Sequence, residues 1–424
     1  MTARPPVLSP DALVARLRAR LRARLPGAAR VYVPGVAAEP YVLAEAFARD
    51  PETARGLTFF GVWIPGVNRT DWSALHQTAR FETIFLAPEL REGFEAGRIA
   101  FLPLTYTKAW RWLETCPVDA AILQVSPPDA NGECSLSLGC DFTPAIWARA
   151  PVRIAQINPA LPVMPGAPSI PISAFDAVCE VESEPRGYEA GDLPDAFAHI
   201  ARHVAGLVED RAAVQFGLGK VQLAVLPALK DHTALTIHSG MVSDPLLELL
   251  DGDAVAAIRT GAVLGSRALA DRLTGEKRLT MTPVSGTHSG GVLAGLARFT
   301  AINSVIEVDL FGQANAEFVG GRQVSGGGGL ADFLRGAQAS PGGKAIVALA
   351  STARGGTLSR IVPRLTAPAV SLSRADIDIV VTEHGAADLR GLDLEARAGA
   401  LIQSAHPEHR AMLDSAWQDI RRSL

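Results

Sequence analysis

The sequence predicts an α/β protein built from two similar halves. At 424 residues the chain is too long for one ordinary core, so two domains are expected. A strand, a glycine turn and a helix follow one another twice, first around residues 31–47 and again around residues 213–229. Because matched helical patterns start at Gly35 and Gly217, we expect an α/β domain in each half.

The first predicted element is an amphipathic helix that begins at Pro10. Ser9 is a suitable N-cap, and proline is well tolerated at the first helical position. One face of the helix carries a leucine at every fourth position, at Leu13, Leu17, Leu21 and Leu25. We expect the helix to end at Pro26-Gly27 with its arginines in solvent. No apolar segment follows, so the arginine-rich start does not indicate a secretory signal.

The later elements are read from apolar runs and turn residues. Further strands and a helical tail are predicted at residues 118–123, 152–157, 213–216, 345–349, 377–381 and 394–424. The segment 182–195 is rich in Glu, Pro, Gly and Asp, which is typical of a linker. We therefore place the domain boundary near residue 188, with domains at 1–188 and 189–424.

Composition and charge exclude several classes of protein. The net charge of −4 provides no basic surface for nucleic acid, and no uncharged apolar run approaches the roughly 18 residues of a membrane span. The nine histidines are scattered, so no metal site is predicted. Buried thiols in a cytoplasmic protein are favoured over a redox or zinc site, because no C-x-x-C spacing occurs among Cys116, Cys134, Cys140 and Cys179.

Three glycine clusters in the second half are candidate phosphate-binding loops. Gly217-x-Gly219 follows a strand and opens a helix, where backbone N–H groups can meet a phosphate, although Gln222 replaces the third glycine of the dinucleotide fingerprint. The run at 326–329 carries a large ordering entropy, which close backbone approach to a ligand would offset; a mobile surface loop is the alternative. Lys344 follows a third turn, where it either pairs with a phosphate or is solvated.

Acidic and aromatic side chains give weaker signals. Glu307 and Asp309 stand two apart on a predicted strand and point to one face. They are acid/base candidates if that face lines a cavity and ordinary if it faces solvent. An apolar pocket or simple core packing is indicated by four tryptophans of the first half, Trp63, Trp72, Trp110 and Trp112.

Seven colinear motifs extend over about residues 100 to 415. They are QVSPPDANG (124–132), QFGLG (215–219), AINS with EVDL (301–304 and 307–310), SGGGGLADF (325–333), SRIVP (359–363), VTEHGAADLRG (381–391), and AHP with the following arginine (405–407 and 410). Together they resemble the acetyl-CoA hydrolase/transferase family, which includes 4-hydroxybutyrate and butyrate:acetate CoA-transferases. No single motif would suffice, but seven in the right order make the resemblance specific.

The resemblance implies two CoA-transferase-like α/β domains in tandem, with the active site between them. It also implies acyl-CoA and a small carboxylic acid as the molecules bound, and a homodimer. By matching position, coenzyme A would contact Gly217, Gly219, Lys220, Val221, Asn303, Gly326, Gly328, Gly329 and Lys344.

Position 240 departs from the family pattern. The family's nucleophile is a glutamate in a His-Thr-Glu-Met stretch, and the matching stretch here reads His238-Ser239-Gly240-Met241. Glycine has no side chain that could carry an acyl group, so the covalent glutamyl route is not available at this position. Gln222 and Leu330 also differ from the proline and glutamine common in the family, which affects cofactor contacts rather than the fold.

Two hypotheses about function remain open from the sequence. In the first, the protein is an acyl-CoA enzyme with an altered centre, where Ser239 or His238 acts as nucleophile or base, or where His238 or Asp244 activates water. In the second, it binds acyl-CoA without transferase chemistry. A nicotinamide oxidoreductase is a distant third, because the glycine fingerprint is missing. A structural role is favoured for three acids on other loops, Glu307, Glu317 and Glu383.

Overall fold

The computed structural model describes residues 4–25, 27–188 and 191–424. They form two compact units. Unit 1 comprises residues 1–189, 242–244 and 259–286, and unit 2 comprises residues 190–241, 245–258 and 287–424. The first break between the units lies beside the predicted boundary near residue 188, and residues 189 and 190 are outside the described residues. The later segments counted with unit 1 were not predicted.

The helices are, in chain order, α1 (Pro10–Arg24), α2 (Tyr41–Arg49), α3 (Arg91–Glu95), α4 (Tyr106–Thr115), α5 (Ala196–Ala205), α6 (Lys220–Ala228), α7 (Leu247–Leu250), α8 (Arg267–Thr274), α9 (Val284–Thr287), α10 (Gly290–Ala294), α11 (Leu330–Ala339), α12 (Leu394–Ser404) and α13 (Pro407–Arg422).

The strands that precede residue 200 are β1 (Ala29–Tyr32), β2 (Leu57–Phe60), β3 (Arg80–Thr83), β4 (Ile99–Phe101), β5 (Ala120–Val125), β6 (Glu133–Ser135), β7 (Val152–Ile157), β8 (Ser169–Pro171) and β9 (Ala177–Glu180). The later strands are β10 (Ala213–Phe216), β11 (Leu235–Val242), β12 (Val255–Val263), β13 (Leu279–Met281), β14 (Thr300–Ser304), β15 (Glu307–Asp309), β16 (Ala314–Asn315), β17 (Phe318–Val319), β18 (Arg322–Gln323), β19 (Lys344–Ala348), β20 (Thr352–Ala353), β21 (Leu358–Ser359), β22 (Ile361–Val362), β23 (Ile379–Thr382) and β24 (Gly385–Asp388).

Two large sheets share one plan. The first has the strand order β4-β3-β2-β1-β5-β7-β9, and the second has the order β13-β12-β11-β10-β14-β19-β23-β24. In each sheet the order runs backward to the first strand of that half and then jumps forward, between β1 and β5 and between β10 and β14. Both junctions pair parallel strands. The repeated order confirms the predicted fold class, and ligands of open parallel sheets bind outside the carboxyl ends of the strands at such switch points.

The first helix follows directly from its sequence pattern. The Ser9 hydroxyl accepts a hydrogen bond from Ala12 N at 3.3 Å, and Pro10 takes the first helical position. The leucines at positions 13, 17 and 21 are at most 1% exposed and join the core of unit 1. Each such burial stabilises the fold by about 1.5–3 kcal/mol. The helix ends at Arg24; Pro26, in the predicted end, lies outside the described residues.

Aromatic packing explains two of the four tryptophans. Trp63 and Trp72 are fully buried, and their ring centroids are 6.2 Å apart in an edge-to-face arrangement. Trp72 also lies 4.9 Å from the ring of Phe59, and Trp63 lies 5.2 Å from that of Phe81. These contacts belong to the core of unit 1, so core packing replaces the apolar-pocket interpretation for Trp63 and Trp72.

The core strands lie close to where the sequence predicts them. The apolar runs at 118–123, 152–157, 213–216, 345–349 and 377–381 correspond to β5, β7, β10, β19 and β23. The tail is helical, but it is broken into α12 and α13 between Ser404 and Pro407. Proline cannot continue a helix from the preceding turn, and here it starts the next one. Among the described residues, no helix combines the length and apolarity needed to cross a bilayer.

Candidate functional site

The first predicted glycine turn lies at the switch point of the second sheet. β10 ends at Phe216, and Gly217 N donates to the carbonyl of Ile302 in the adjacent β14 at 3.0 Å. Gly219 has φ of +118°, a conformation that favours glycine, and α6 begins at Lys220. The first N–H groups of a helix have no intrahelical acceptor, so this turn presents donors where a phosphate can bind.

Asn303, another of the predicted cofactor residues, lies beside this turn. Gln215 and Asn303 are buried on neighbouring strands and exchange two hydrogen bonds between their amides, at 2.9 and 3.3 Å. A Cβ added to Gly217 would stand 2.9 Å from Asn303 Oδ1. The first residue of the turn must therefore be glycine for this amide pair to keep its place.

The two residues after the Gly-x-Gly turn have different environments. Lys220 is partly exposed at the first position of α6, so its ammonium is available to an anion at the helix N-terminus. Val221 is only 3% exposed and packs inward. Of these two predicted cofactor residues, the structure favours Lys220 as a side-chain contact.

The stretch from His238 to Met241 lies on β11. His238 and Ser239 are fully buried. The Ser239 hydroxyl donates to the carbonyl of Phe216 at 3.1 Å, and His238 Nε2 lies 3.0 Å from the carbonyl of Thr287. Both predicted catalytic side chains therefore bind backbone carbonyls. Ser239 thus donates to a carbonyl and not to a base that would activate it as a nucleophile.

His288 fills the space beside Gly240. A Cβ added to Gly240 would stand 2.8 Å from His288 Cε1 and 3.2 Å from Nε2. The imidazole is 2% exposed, its Nδ1 lies 2.8 Å from the Thr287 hydroxyl, and its ring packs 4.2 Å from that of Phe333. Burial, together with the nearby His238, lowers the pKa of His288 to about 3, so the imidazole is neutral at physiological pH.

The glycine run at 326–329 leads into α11 and meets the same histidine. A Cβ added to Gly329 would stand 2.4 Å from His288 Nε2, and Gly328 has φ of +52°. Gly327 lies near the Glu317 carboxylate, whose pKa is raised by burial. Gly326 and Gly328 are buried. The structure thus brings Gly329 and Gly240 together around one imidazole.

Lys344 is not brought together with these residues. Its ammonium donates to the Leu207 carbonyl at 2.9 Å and to Glu209 Oε1 at 2.7 Å. Lys344 begins β19 and pairs with Thr300, the first residue of the parallel strand β14, whereas Asn303 lies near the carboxyl end of that strand. The ammonium is therefore engaged at the amino edge of the sheet, away from the glycine turn.

The other predicted acids make local structural contacts. Asp309 accepts hydrogen bonds from Phe311 N and Gln313 N and closes a turn. The Glu383 carboxylate accepts from the backbone N and the hydroxyl of Ser351 at 2.8 and 2.7 Å. A weak contact at 3.2 Å joins the Glu307 carboxylate to the Asn315 amide. Glu307 and Glu383 are thus held by neighbouring residues, and the structural role favoured for them and for Glu317 stays a prediction.

Asp244 lies in unit 1, on the wall of a cleft of about 1120 Å³. Its carboxylate accepts from Ser266 N at 2.9 Å and from the Ser266 hydroxyl at 2.8 Å, which fixes the start of α8. Arg186 lines the same cleft, stacks 4.1 Å from the Tyr41 ring and pairs at 3.3 Å with the fully buried Glu39. Asp244 thus lines a cleft while its carboxylate is held against Ser266.

The cysteines are four buried thiols, and none forms a disulfide. Burial raises the pKa of Cys134 to about 11 and that of Cys179 to about 12, so both thiols are protonated and unreactive at physiological pH. Among the residues that the structure describes, no group of three or more His, Cys, Asp or Glu side chains is arranged to hold a metal ion.

Sequence reasoning missed His288 and the pair formed by Glu39 and Arg186. His288 lies 48 residues after Gly240 in the sequence (288 − 240 = 48), and no periodic pattern connects the two positions. Glu39 and Arg186 are still farther apart in the chain. Only the fold brings each pair together, so no local signal could have identified them.

The sequence is similar to those of known proteins over most of its length. The sequence matches the acetyl-CoA hydrolase/transferase N-terminal domain over residues 28–185 and the C-terminal domain of the same family over residues 265–417. It is 33% identical to 4-hydroxybutyrate coenzyme A transferase of Clostridium kluyveri over 396 residues, which cover 91% of this chain and 92% of that one.

Two solved structures are similar over nearly the whole chain. RipA from Yersinia pestis has a TM-score of 0.87 and 28% identity, covering 98% of this chain and 100% of that one. The 4-hydroxybutyrate CoA-transferase of Porphyromonas gingivalis has a TM-score of 0.79 and 29% identity, covering 99% and 98%.

The two tandem α/β domains, with a glycine turn at a switch point, define a protein of the CoA-transferase class. The chain belongs to the acetyl-CoA hydrolase/transferase family. The predicted family is therefore confirmed. Members of this family use CoA thioesters as substrates, so the prediction that the ligand is coenzyme A, in the form of an acyl-CoA, is confirmed as well.

Proposed function

We propose that the protein acts on the CoA thioester of a small carboxylic acid of the acetate type, through a centre without a carboxylate at position 240. The observation that carries this proposal is the turn from Gly217 to Lys220, which places helix N–H donors and one cation at the switch point beside Asn303. The similar 4-hydroxybutyrate CoA transferase of Clostridium kluyveri supports a short acyl group.

The missing carboxylate favours hydrolysis over transfer. In a hydrolysis step, water attacks the thioester carbonyl carbon, the carbon–sulfur bond breaks, and the products are the free acid and the thiol of coenzyme A. A base must accept the proton of the attacking water. The candidates for this base are His238 and Asp244, and Ser239 is an alternative nucleophile. As a nucleophile, Ser239 would first have to release the hydrogen bond that its hydroxyl donates to the Phe216 carbonyl.

A second candidate function is acyl-CoA binding without turnover. It is favoured by the Ser239 hydroxyl, which donates to a backbone carbonyl and is therefore not activated as a nucleophile in this structure. The anion-binding turn would be retained in such a protein, because it depends on Gly217 and α6 rather than on β11.

One experiment separates the two functions. The purified protein is incubated with a panel of acyl-CoAs, with and without acetate, while free thiol and exchanged thioester are followed by mass spectrometry. We expect thiol release without exchange. Acyl-CoA binding measured by calorimetry, with neither thiol release nor exchange, would favour the binding protein, and exchange into acetate would contradict the loss of the covalent route.

A variant of the glycine turn and a matched control test whether this turn binds coenzyme A. Gly217→Val places a branched side chain against Asn303 and should abolish coenzyme A binding, whereas Gly206→Ala alters a glycine at the end of α5 with φ of −65° and should leave binding intact. A cytoplasmic homodimer is part of the proposal, and light scattering on the purified protein tests its mass.

A further inference from the structure

One imidazole occupies the space between two glycines of the candidate site. The added Cβ of Gly240 would be 2.8 Å from His288 Cε1, and the added Cβ of Gly329 would be 2.4 Å from His288 Nε2. Real Cβ atoms do not approach other heavy atoms below about 3 Å, because non-bonded carbon contacts are optimal at about 3.5–4.0 Å and repulsion rises steeply at shorter distances. Any side chain at either position must therefore displace the imidazole.

The imidazole of His288 is held on several sides. The Thr287 hydroxyl lies 2.8 Å from Nδ1, the Phe333 ring packs at 4.2 Å, and the side chain is 2% exposed. Moving the ring would give up the contact with the Thr287 hydroxyl and the packing against Phe333. His288 is thus a buried and partnered obstacle at position 240.

We propose that His288 is the residue that closes the covalent acyl-transfer route in this protein, because its ring fills the space that a carboxylate side chain at position 240 requires. The inference rests on the proposed function, since it assumes that coenzyme A thioesters bind at this site. The covalent acyl-transfer route is then lost through two residues together, Gly240 and His288. Replacing Gly240 alone is then insufficient to restore transfer.

The restored step is ordinary acyl transfer. A carboxylate introduced at position 240 attacks the thioester carbonyl carbon, the carbon–sulfur bond breaks, and coenzyme A leaves as the thiolate. The product is a mixed anhydride. The thiolate then attacks the side-chain carbonyl of that anhydride, which releases the acyl group as a free carboxylate and leaves a side-chain thioester of coenzyme A. An incoming carboxylate reverses the two steps.

The test compares Gly240→Glu, His288→Ala and the double variant Gly240→Glu/His288→Ala with the wild-type chain. Acetyl-CoA and propionate are supplied, exchange is measured by mass spectrometry, and a side-chain thioester is trapped with hydroxylamine. We expect exchange by the double variant about 10 to 100 times faster than by Gly240→Glu, the factor expected when an overpacked core is relieved. Gly240→Gln/His288→Ala is the matched control, and it should give no hydroxylamine-sensitive adduct.

Two results would overturn the inference. One is equal exchange by Gly240→Glu and by the double variant. The other is a double variant that folds and binds acetyl-CoA but forms no adduct at position 240. Absence of acetyl-CoA binding and of thiol release in the wild type would instead defeat the proposed function, so the two failures are distinguishable.

A stability measurement covers the case in which the glutamate variants do not fold. Gly240→Ala adds only the Cβ that meets His288, so it should destabilise the wild-type chain and be tolerated when His288→Ala is already present. Denaturant unfolding of the two single variants and the double variant gives their coupling. Additive effects would show that the imidazole does not exclude a side chain at position 240.

Discussion

A buried carboxyl in unit 1 makes the stability of the protein depend on pH. Asp141 is 5% exposed, and its Oδ1 accepts a hydrogen bond from Phe142 N at 2.8 Å. Burial raises the pKa of Asp141 from 3.8 to about 7, although hydrogen bonds from the backbone oppose this shift. The phenols of Tyr32 and Tyr106 are buried nearby, and the Asp141 charge raises their pKa values further.

The sign of the effect follows from the folded-state pKa being the higher one. Below pH about 4 the carboxyl is protonated in both states, and its stability contribution is fully present. Between pH about 4 and about 7 the unfolded chain has lost the proton and the folded chain keeps it, so the free energy of unfolding falls as pH rises. A difference of about three pKa units corresponds to about 4 kcal/mol, which is an upper bound on the loss above pH 7.

The perturbation is Asp141→Asn, which keeps the size of the side chain and removes its ionisation. We expect the free energy of unfolding of the variant to rise relative to that of the wild type by up to about 3 kcal/mol between pH 5 and pH 8.5, because about two of the three pKa units of the shift fall in this range. The assay is denaturant unfolding followed by circular dichroism at several pH values between 5 and 9. Parallel pH curves for the two proteins would refute the reasoning.

Asp129→Asn is the control within the same unit. Hydrogen bonds from the backbone N–H groups of Glu133 and Asn131, both at 2.8 Å, lower the pKa of Asp129. Its stabilising contribution is present above the unfolded-state pKa and is lost only as pH falls through the lower folded-state value. The control should therefore shift stability by a constant amount between pH 5 and 9.

Three further predictions concern single contacts. Gly217→Ala brings a Cβ within 2.9 Å of Asn303 Oδ1 and should weaken coenzyme A binding about tenfold in calorimetry, whereas an unchanged dissociation constant would separate this turn from the ligand. Lys344→Met should leave that dissociation constant unchanged, because the ammonium is bound at the opposite edge of the sheet. Arg186→Met leaves the buried Glu39 carboxylate without its cation and should cost about 2–4 kcal/mol in urea unfolding, with Glu39→Gln in the same chain recovering part of the loss.

The architecture could be predicted from the sequence because its signals are local. The leucine spacing of α1, the buried runs that become β5 and β7, and the glycine turn after β10 each lie within about ten residues, the range over which helix and strand periods operate. The strand order could not be predicted, because it depends on which strands, distant in sequence, pair with one another in the folded chain. The similar order of the two sheets appears only when β1 and β10 are seen at equivalent junctions.

The candidate site could be predicted only in part, for the same reason. Gly217 and Gly240 were identified because a motif and a count along the chain lead to them. Lys344 was assigned to the cofactor from its place after a glycine turn, but the strand register sets it at the amino edge of β19. His288 carries no motif. Its role follows from contacts with residues distant in sequence, and those contacts exist only in the folded chain.

The glycine run at 326–329 now has an explanation that does not require a ligand for every member. Four flexible residues carry a large entropic cost of ordering, which first indicated close approach of a phosphate. Gly329, however, must be glycine because of His288, and Gly328 adopts a positive φ. The same imidazole excludes a side chain at Gly240. The imidazole at position 288 therefore requires small residues at both 240 and 329, so Gly240 and part of the glycine run follow from the same packing.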